Sequence, residues 1–258
     1  MCKYPIWQLG CYDKVVKKYL YQDLYELEEK HWWHTAKRKT CLSIIKKYVK
    51  VKKPAILDIG CGTGKNLEEF SKIGTAYGID SSSVAIKFCK KKRGLNNVSL
   101  GSAENTGFAD GKLDVVSMLD VLEHTDDVKT IKETSRILKD RGYLLITVPA
   151  YQWMWSNWDV VLHHRRRYTK NQVEALLMDQ GFETIKSGYL YSFLLIPVFV
   201  VRKMKNFFFR SDYPSDFKVG FLFFGKILGT ISDAERSVAL STGIPFGLSL
   251  FVLARKRS

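Results

Sequence analysis

The stretch Ile56-Leu57-Asp58-Ile59-Gly60-Cys61-Gly62-Thr63-Gly64 runs from a short apolar segment into a turn with three glycines. The residues that follow, 65–72, have the spacing of a helix. A buried strand that leads into a glycine-rich turn and then a helix lets a ligand approach the main chain closely, at the carboxyl end of a first parallel strand. We therefore expect a ligand site at this turn, in a fold that alternates strands and helices.

Two carboxylates indicate which ligand suits the turn. Asp80 ends the next predicted strand, 75–79, and a carboxylate there can accept two hydrogen bonds from ribose hydroxyls. Asp58 lies in the approach to the turn, where it would repel a pyrophosphate and attract an ammonium group. These features predict a nucleoside cofactor with an amino-acid end and no phosphate. S-adenosylmethionine is such a ligand, and a nicotinamide cofactor is disfavoured.

Strands and helices of suitable length alternate on both sides of the glycine turn. This alternation implies right-handed crossovers and parallel strands. We predict an α/β fold, with a Rossmann-like, seven-stranded, mostly parallel sheet that has helices on both faces, an N-terminal helical cap and a helical insertion before the last strand. The predicted strands are 55–59, 75–79, 97–100, 113–119, 143–148, 182–191 and 248–254, and the predicted helices of the sheet are 65–72, 83–93, 126–138 and 170–180.

The same pattern divides the chain into three parts. Residues 1–52 form the predicted cap, with helices at 13–30 and 36–48. Residues 53–191 and 247–258 form the core that binds the cofactor. Residues 192–246 are too long for a simple strand connection, and long insertions of this kind tend to be lids or binding elements.

In the quoted residues the chain resembles the class I S-adenosylmethionine-dependent methyltransferases, over about residues 53–181 and the closing strand. The resemblance implies that Gly60, Gly62 and Gly64 hold the methionine part of the cofactor, Asp58 its amino group and Asp80 its ribose.

Two further segments resemble motifs of the same family. Ser102, in Gly101-Ser102-Ala103-Glu104, stands where the family has an aspartate for the adenine amino group, so main-chain groups at Ala103 or the Glu104 carboxylate are expected to replace it. The segment 114–124 resembles the fourth-strand motif, in which Leu119 and Asp120 flank the methyl donor. His124 has two open interpretations, a cofactor contact or a cap of its own helical turn. The cofactor-binding residues implied are Asp58, Gly60, Cys61, Gly62, Gly64, Asp80, Ser81, Ser102, Ala103, Glu104, Leu119, Asp120, His124 and Arg38.

Residues 149–169 form a loop that concentrates aromatic and basic side chains at the edge where ligands bind. It carries three tryptophans, two histidines and three arginines, too many charged groups for a purely structural role. We expect acid/base catalysis from His164 first, then from Asp159 and His163. The residues expected to bind the acceptor are Trp33, Tyr151, Trp155, Arg166, Arg167 and Tyr168. No metal is predicted.

This loop also resembles a subfamily with a His-x-Arg-Arg-Tyr block, here within 164–168, whose members are often linked to synthesis of cell-envelope glycans or lipids. The N-terminal signature of that subfamily fits Glu29, His31, Trp32, Trp33 and Arg38. By this resemblance the cap covers the cofactor cleft and Arg38 meets the methionine carboxylate, whereas the alternative for the tryptophans is packing of the cap on the sheet.

The composition is strongly basic, with 41 Lys+Arg against 26 Asp+Glu and a net charge of +15. The basic residues cluster, which is typical either of solvated helix faces or of a surface for an anionic partner such as a phosphorylated substrate, an acidic membrane or a nucleic acid. An RNA partner is not favoured, because no separate RNA-binding module is evident. The five cysteines show no C-x-x-C spacing, and no secretory signal is evident, so we expect a reducing, cytoplasmic location.

The insertion joins apolar runs to basic residues. The uncharged segment 187–201 is too short to span a bilayer but long enough to lie on one. The alternative is a helical lid packed on the sheet or on a partner subunit. The favoured prediction is a methyltransferase for a small or lipid-linked, anionic acceptor, peripheral on the inner face of the membrane; an RNA methyltransferase and a non-catalytic regulatory protein that binds S-adenosylmethionine are the alternatives. The acceptor atom and the oligomeric state are left open.

Overall fold

The computed structural model describes residues 13–208 and 221–258, with side chains for 21–203 and 224–258. One seven-stranded sheet has the order β3-β2-β1-β4-β5-β7-β6. The first five strands are parallel, and β7 runs antiparallel to both β5 and β6. The strands are β1 (Ala55–Ile59), β2 (Thr75–Asp80), β3 (Val98–Leu100), β4 (Leu113–Leu119), β5 (Leu138–Pro149), β6 (Phe182–Leu190) and β7 (Ser249–Lys256). The predicted fold class is confirmed.

Helices cover both faces of this sheet, because the strands are apolar on both sides. Ile56 of β1 faces one buried cluster, together with Phe70 and Ile86, and Leu57 faces the other, together with Ile131 and Leu177. The helices are α1 (Asp13–Lys30), α2 (Trp32–Tyr48), α3 (Lys65–Ser71), α4 (Ser83–Arg93), α5 (Asp127–Ile137), α6 (Asn157–Val161), α7 (Lys170–Asp179), α8 (Leu195–Phe208) and α9 (Phe221–Ser241).

Helix α2 begins four residues before the predicted start at 36. The imidazole of His31 accepts a hydrogen bond from the main-chain N–H of Trp33 at 3.3 Å and so caps the helix. Histidine is not among the preferred N-cap residues, so no ordinary start signal marks this position. The early start matters for function because it places Trp32 and Trp33 on the helix.

The insertion between β6 and β7 is anchored to the sheet and to the cap. The Glu235 carboxylate of α9 accepts hydrogen bonds from the main-chain N–H groups of Tyr191 and Ser192, both at 2.6 Å. Two glycines of α9, Gly225 and Gly229, lie against Trp32 of α2. These contacts fix α8 and α9 beside the carboxyl ends of the strands.

Parts of several predictions lie outside the described residues: positions 1–12 of the cap, with Cys2 and Cys11, and positions 209–220 of the insertion. The three cysteines that are described, Cys41, Cys61 and Cys89, are free and buried. None of the helices in the described ranges combines the length and the apolar character that crossing a bilayer requires.

Candidate functional site

The site lies at the carboxyl ends of β1, β2, β4 and β5, where the strand order reverses between β1 and β4. Open parallel sheets bind ligands at this position because the adjacent connections leave on opposite faces and open a crevice. Three sets of residues meet there: the glycine turn after β1, the ends of β2 and β4, and the loop after β5.

The glycine turn adopts a backbone that side chains would obstruct. Gly60, Gly62 and Gly64 all have positive φ, at 71°, 55° and 89°. A Cβ atom at Gly60 would overlap the side chain of Val121, so glycine is required for space as well as for conformation. The tight turn that the sequence predicts is therefore present, and its role in holding the methionine part of the cofactor stays a prediction.

Asp80 holds the glycine turn in place from the end of β2. Its carboxylate accepts hydrogen bonds from the N–H groups of Gly62 at 2.9 Å and Ser82 at 2.8 Å. Burial raises the pKa of Asp80, and these two hydrogen bonds oppose the rise. The side chain therefore combines a structural role with the position predicted for the ribose contact.

Asp58 has an unpaired oxygen within the protein. One carboxylate oxygen accepts a hydrogen bond from the Ser117 hydroxyl at 2.6 Å, whereas Oδ2 is buried and has no hydrogen-bond partner in the described residues. Burial, with the negative charges of Glu28 and Asp80, raises the pKa of Asp58 to about 7. A buried carboxylate without a partner is costly, and a ligand with an ammonium group would relieve that cost.

This pKa gives a testable pH dependence. Because the raised pKa leaves Asp58 protonated below pH 7, and an ammonium group binds the ionised form better, we expect S-adenosylmethionine affinity to rise about tenfold from pH 6 to pH 8. The Asp58→Asn variant titrates no group at this position, so its affinity is expected to lack this increment. Calorimetric titrations of both proteins at several pH values test the point, and any titration of the ligand itself is common to the two. Parallel pH profiles for the two proteins would contradict the assignment.

The cap closes over the glycine turn through ion pairs. Glu28 of α1 accepts a hydrogen bond from Thr63 in the turn, and Arg93 pairs with Glu28 at 3.5 Å and with Glu29 at 2.5 Å. Arg38 is buried and donates to the main-chain oxygen of Glu28 at 2.9 Å. Arg38 thus joins α2 to α1, and its contact with the methionine carboxylate stays a prediction.

The residues predicted to contact the adenine make other contacts within the protein. Ala103 is buried in the core, and the exposed Glu104 accepts a hydrogen bond from the N–H of Asp126 at 2.8 Å, at the start of α5. Ser102 is exposed and its hydroxyl accepts from the N–H of Glu104 at 3.2 Å. One of the two predicted replacements for the missing aspartate, the Glu104 carboxylate, is therefore already hydrogen-bonded to the start of α5.

Asp120, at the end of β4, has a left-handed backbone with φ of 57°. Its carboxylate accepts from the Thr147 hydroxyl at 3.1 Å and forms an ion pair with Lys37 of α2. A non-glycine residue in this conformation is costly and occurs most often at functional sites. The ion pair with Lys37, which sequence reasoning missed, fixes the cap against the end of β4.

Beside Asp120 lies a cavity of about 180 Å³. Its wall is mostly aromatic and aliphatic, with a few charged groups, and comes from the cap, the ends of β4 and β5, the loop after β5 and helix α8. The lining residues are His31, Trp32, Trp33, Lys37, Asp120, Glu123, Pro149, Trp158, Leu162, His164, Arg167, Leu194, Val198, Arg202, Leu248 and Ser249. Because Asp120 lies in its wall, this cavity is the candidate acceptor pocket.

His164 is oriented by a buried network. Its Nδ1 lies 2.9 Å from Asp159, which also accepts from Arg167 Nε at 2.7 Å and from the N–H of Ser156 at 2.8 Å. Burial alone would raise the pKa of Asp159, but the hydrogen bonds from His164 and Arg167 hold it well below its usual range. Because Asp159 stays ionised, the hydrogen of this contact lies on Nδ1 of His164.

This network changes the roles predicted for the loop. Asp159 is 0% exposed and fully engaged, which favours an orienting role over the acid/base role expected from sequence. His163 is exposed, with φ of 58°, and does not line the cavity. Of the predicted acceptor residues, Trp33 and Arg167 line the cavity, and Tyr151, Trp155, Arg166 and Tyr168 do not.

Those four residues have other contacts. The hydroxyl of Tyr168 is buried near Leu122 and Asp127, and Arg166 pairs with Asp127 at 3.0 Å. Tyr151 stacks on Tyr189 and on Trp153. Trp155 is half-buried and closes a short turn through its main-chain N–H. They shape the loop rather than the cavity wall.

Sequence reasoning also missed Glu123. The residue is 1% exposed, and burial together with the neighbouring Asp120 charge raises its pKa well above the usual range. The available signal was a second acid, three positions after Asp120, in an otherwise apolar segment. Trp158 and Arg202 of the cavity wall were not predicted either. The sequence around α6 and α8 contains no pattern that shows which of their side chains face β4.

Comparison with known proteins supports the assignment of the core. Residues 57–146 match the family model described as "Methyltransferase domain". An uncharacterized methyltransferase of Schizosaccharomyces pombe is 34% identical over 133 residues, 46% of this chain and 47% of that protein. A ubiquinone biosynthesis O-methyltransferase of Bartonella tribocorum is 33% identical over 104 residues, 38% of this chain and 42% of that protein. This chain therefore aligns with less than half the length of either relative.

Solved structures agree in fold. A methyltransferase of Haloferax volcanii, solved in complex with the Trm112 methyltransferase activator, has a TM-score of 0.61 and 16% identity, with 96% of each chain covered. A SAM-dependent methyltransferase of Archaeoglobus fulgidus has a TM-score of 0.53 and 19% identity, with 85% of this chain and 94% of that chain covered. Residues 57–146 therefore match a methyltransferase domain, within a fold that solved S-adenosylmethionine-dependent methyltransferases share, and the match implies S-adenosylmethionine as the cofactor.

Proposed function

We propose that the protein transfers a methyl group from S-adenosylmethionine to a hydroxyl group of a small or lipid-linked acceptor. The observation that carries this proposal is the cavity next to Asp120, which is walled by tryptophans and aliphatic side chains and is lined by His164, whose ring Asp159 orients. Bound S-adenosylmethionine would supply a methyl group on a positively charged sulfur. The unpaired oxygen of Asp58 and the glycine turn beside it would hold its ammonium group and its methionine part.

The residues of this chain would then position the acceptor and manage its proton. Alignment of the acceptor and exclusion of water supply most of the rate enhancement in a methyl transfer. Trp33 stacks on Tyr191 at 3.6 Å and closes the cavity from the cap side. Nε2 of His164 is the group that engages the acceptor hydroxyl, with Asp159 orienting the ring. The name of the Bartonella relative, an O-methyltransferase, supports a hydroxyl acceptor.

The charges of the wall bear on the predicted acceptor charge. Lys37 is already paired with Asp120, and Arg167 with Asp159. Because both cations already have a carboxylate partner, neither is left to neutralise an anionic acceptor. They support an amphipathic acceptor whose polar ring or head carries the hydroxyl.

Helices α8 and α9 support a lipid-linked acceptor and a peripheral membrane position. Several of their large apolar side chains are exposed beside basic residues such as Lys203 and Lys226. A surface that combines apolar and cationic groups favours an anionic bilayer interface. The exposed apolar residues are Ile196, Val200, Val201, Phe224, Ile227, Ile231 and Val238.

A transfer assay tests the proposed function. The protein would be given S-adenosylmethionine with a labelled methyl group and, separately, the lipid extract, the water-soluble metabolites and the RNA of its source cells. We expect label in the lipid extract, and more of it when the extract is presented in vesicles that contain anionic lipid. Label in RNA alone would overturn the proposal, and no label in any fraction, with cofactor binding intact, would favour a non-catalytic role.

A further inference from the structure

Three potential metal ligands meet at one side of the acceptor cavity. Glu123, His124 and His164 each offer one ligand atom, and these atoms all lie within 4.8 Å of one another. The two histidines come from different segments, but their ring centroids are only 4.8 Å apart, at an interplanar angle of 73°. A hydrogen bond of 2.7 Å from the N–H of Arg165 to the main-chain oxygen of Glu123 fixes the two segments together.

Glu123 is the member that most requires a partner. Its side chain is buried at 1% exposure, and neither carboxylate oxygen meets a hydrogen-bond donor from another described residue. Of the cations that share the cavity wall, Lys37 and Arg167 are paired with Asp120 and Asp159, and Arg202 donates to the main-chain oxygen of Met154. A buried carboxylate without a partner is strongly disfavoured, and a bound cation is one of the few ways to compensate it.

His164 already has the arrangement of a metal-ligating histidine. Such residues nearly always donate their second ring N–H to a carboxylate or a carbonyl, which fixes the tautomer and points the other nitrogen at the metal. Asp159 fills that role for His164, at 2.9 Å from Nδ1. His124 is exposed, so the cluster has a route by which an ion can enter from solvent.

We propose that Glu123, His124 and His164 bind a divalent transition-metal ion of the Zn²⁺ type. Two imidazoles and one carboxylate are a common donor set for such ions, and they leave coordination positions open. Because Glu123 and His164 line the cavity, an open position faces the acceptor. An ion there would hold the acceptor hydroxyl and lower its pKa, so His164 would act through the metal. This last role rests on the proposed function, whereas metal binding itself does not.

Calorimetry on the full chain, freed of any affinity tag and treated with a chelator, tests the site. We expect one Zn²⁺ to bind with micromolar or tighter affinity and Mg²⁺ to bind more weakly, because the donor set contains two nitrogens. Glu123→Gln and His124→Gln are each expected to weaken Zn²⁺ binding by at least about tenfold. His163→Asn is the matched control: it removes a neighbouring exposed imidazole outside the cluster, and Zn²⁺ affinity is expected to stay unchanged. Binding of S-adenosylhomocysteine to each variant verifies that it has folded.

Metal dependence of the reaction separates this inference from the proposed function. We expect the chelator-treated protein to bind S-adenosylhomocysteine normally, to lose methyl transfer, and to regain it with Zn²⁺. Full transfer without metal would overturn the role of the metal in the reaction, and Zn²⁺ affinity that neither cluster variant reduces would overturn the metal site itself. Either result leaves the methyltransferase proposal standing. Failure to bind S-adenosylhomocysteine at all would instead overturn the proposed function.

Discussion

His164→Ala is expected to lower kcat for methyl transfer by roughly 10²- to 10⁴-fold, the range typical of a positioned proton-transfer group. The reason is that His164 lines the proposed acceptor cavity and that its ring is oriented by Asp159. We expect the variant to bind the cofactor almost as well as the unmodified protein does. The predicted cofactor residues Asp58 and Asp80 lie on β1 and β2, whereas His164 lies in the loop after β5.

Steady-state kinetics and calorimetry with S-adenosylhomocysteine would measure the two effects separately. Val161→Ala is the matched control, because Val161 belongs to the same loop, is 59% exposed and does not line the cavity. An equal loss of turnover and of cofactor affinity in His164→Ala would move the residue into the cofactor site. Unchanged turnover would remove it from the reaction altogether.

Asp159→Ala is expected to lower the free energy of unfolding by about 3–5 kcal/mol, because it leaves the buried guanidinium of Arg167 without a counter-charge. The N–H of Ser156 and Nδ1 of His164 lose their acceptor in the same substitution. Urea denaturation of both proteins measures the difference.

A double substitution checks the cause of that loss. Asp159→Leu combined with Arg167→Met removes both charges and keeps apolar volume, and it is expected to recover much of the stability, since a buried ion pair can often be replaced by well-packed apolar residues. A loss below about 1 kcal/mol in Asp159→Ala would show that solvent reaches Arg167 and compensates it. A double variant no more stable than Asp159→Ala would assign the loss to the hydrogen bonds at Ser156 and His164 instead.

The glycine turn and the two acids of the predicted cofactor site could be identified from the sequence. The glycines at 60, 62 and 64 are spaced for a turn whose backbone needs positive φ, and the turn follows a strand that is apolar throughout except for Asp58. These are local signals, because strand, turn and helix adjoin in the chain. Asp58 and Asp80 could be assigned for the same reason, since each stands at a fixed distance from the turn.

For the acceptor side, the amino-acid composition predicted which loop is involved but not which of its side chains face the cavity. The loop after β5 was predicted to bind the acceptor because it is rich in aromatic and basic residues, but that composition does not say which side chains face inward. Arg167 and His164 meet Asp159 and line the cavity, whereas Arg166 and Tyr168 turn to Asp127. Neighbours in the chain point to opposite sides here because the segment is irregular and follows no period.

The sequence by itself determined the order of strands and helices and the glycine turn with the two acids beside it, which are predicted to hold the cofactor, because hydrophobic periodicity and glycine spacing act over a few residues. Only the tertiary structure decided that Lys37 reaches Asp120, that Trp33 stacks on Tyr191 and that Glu123 meets His164. Each of these pairs joins residues far apart in the chain. They meet because the parallel sheet brings the carboxyl ends of its strands to one edge, and the cap and the insertion then close over that edge.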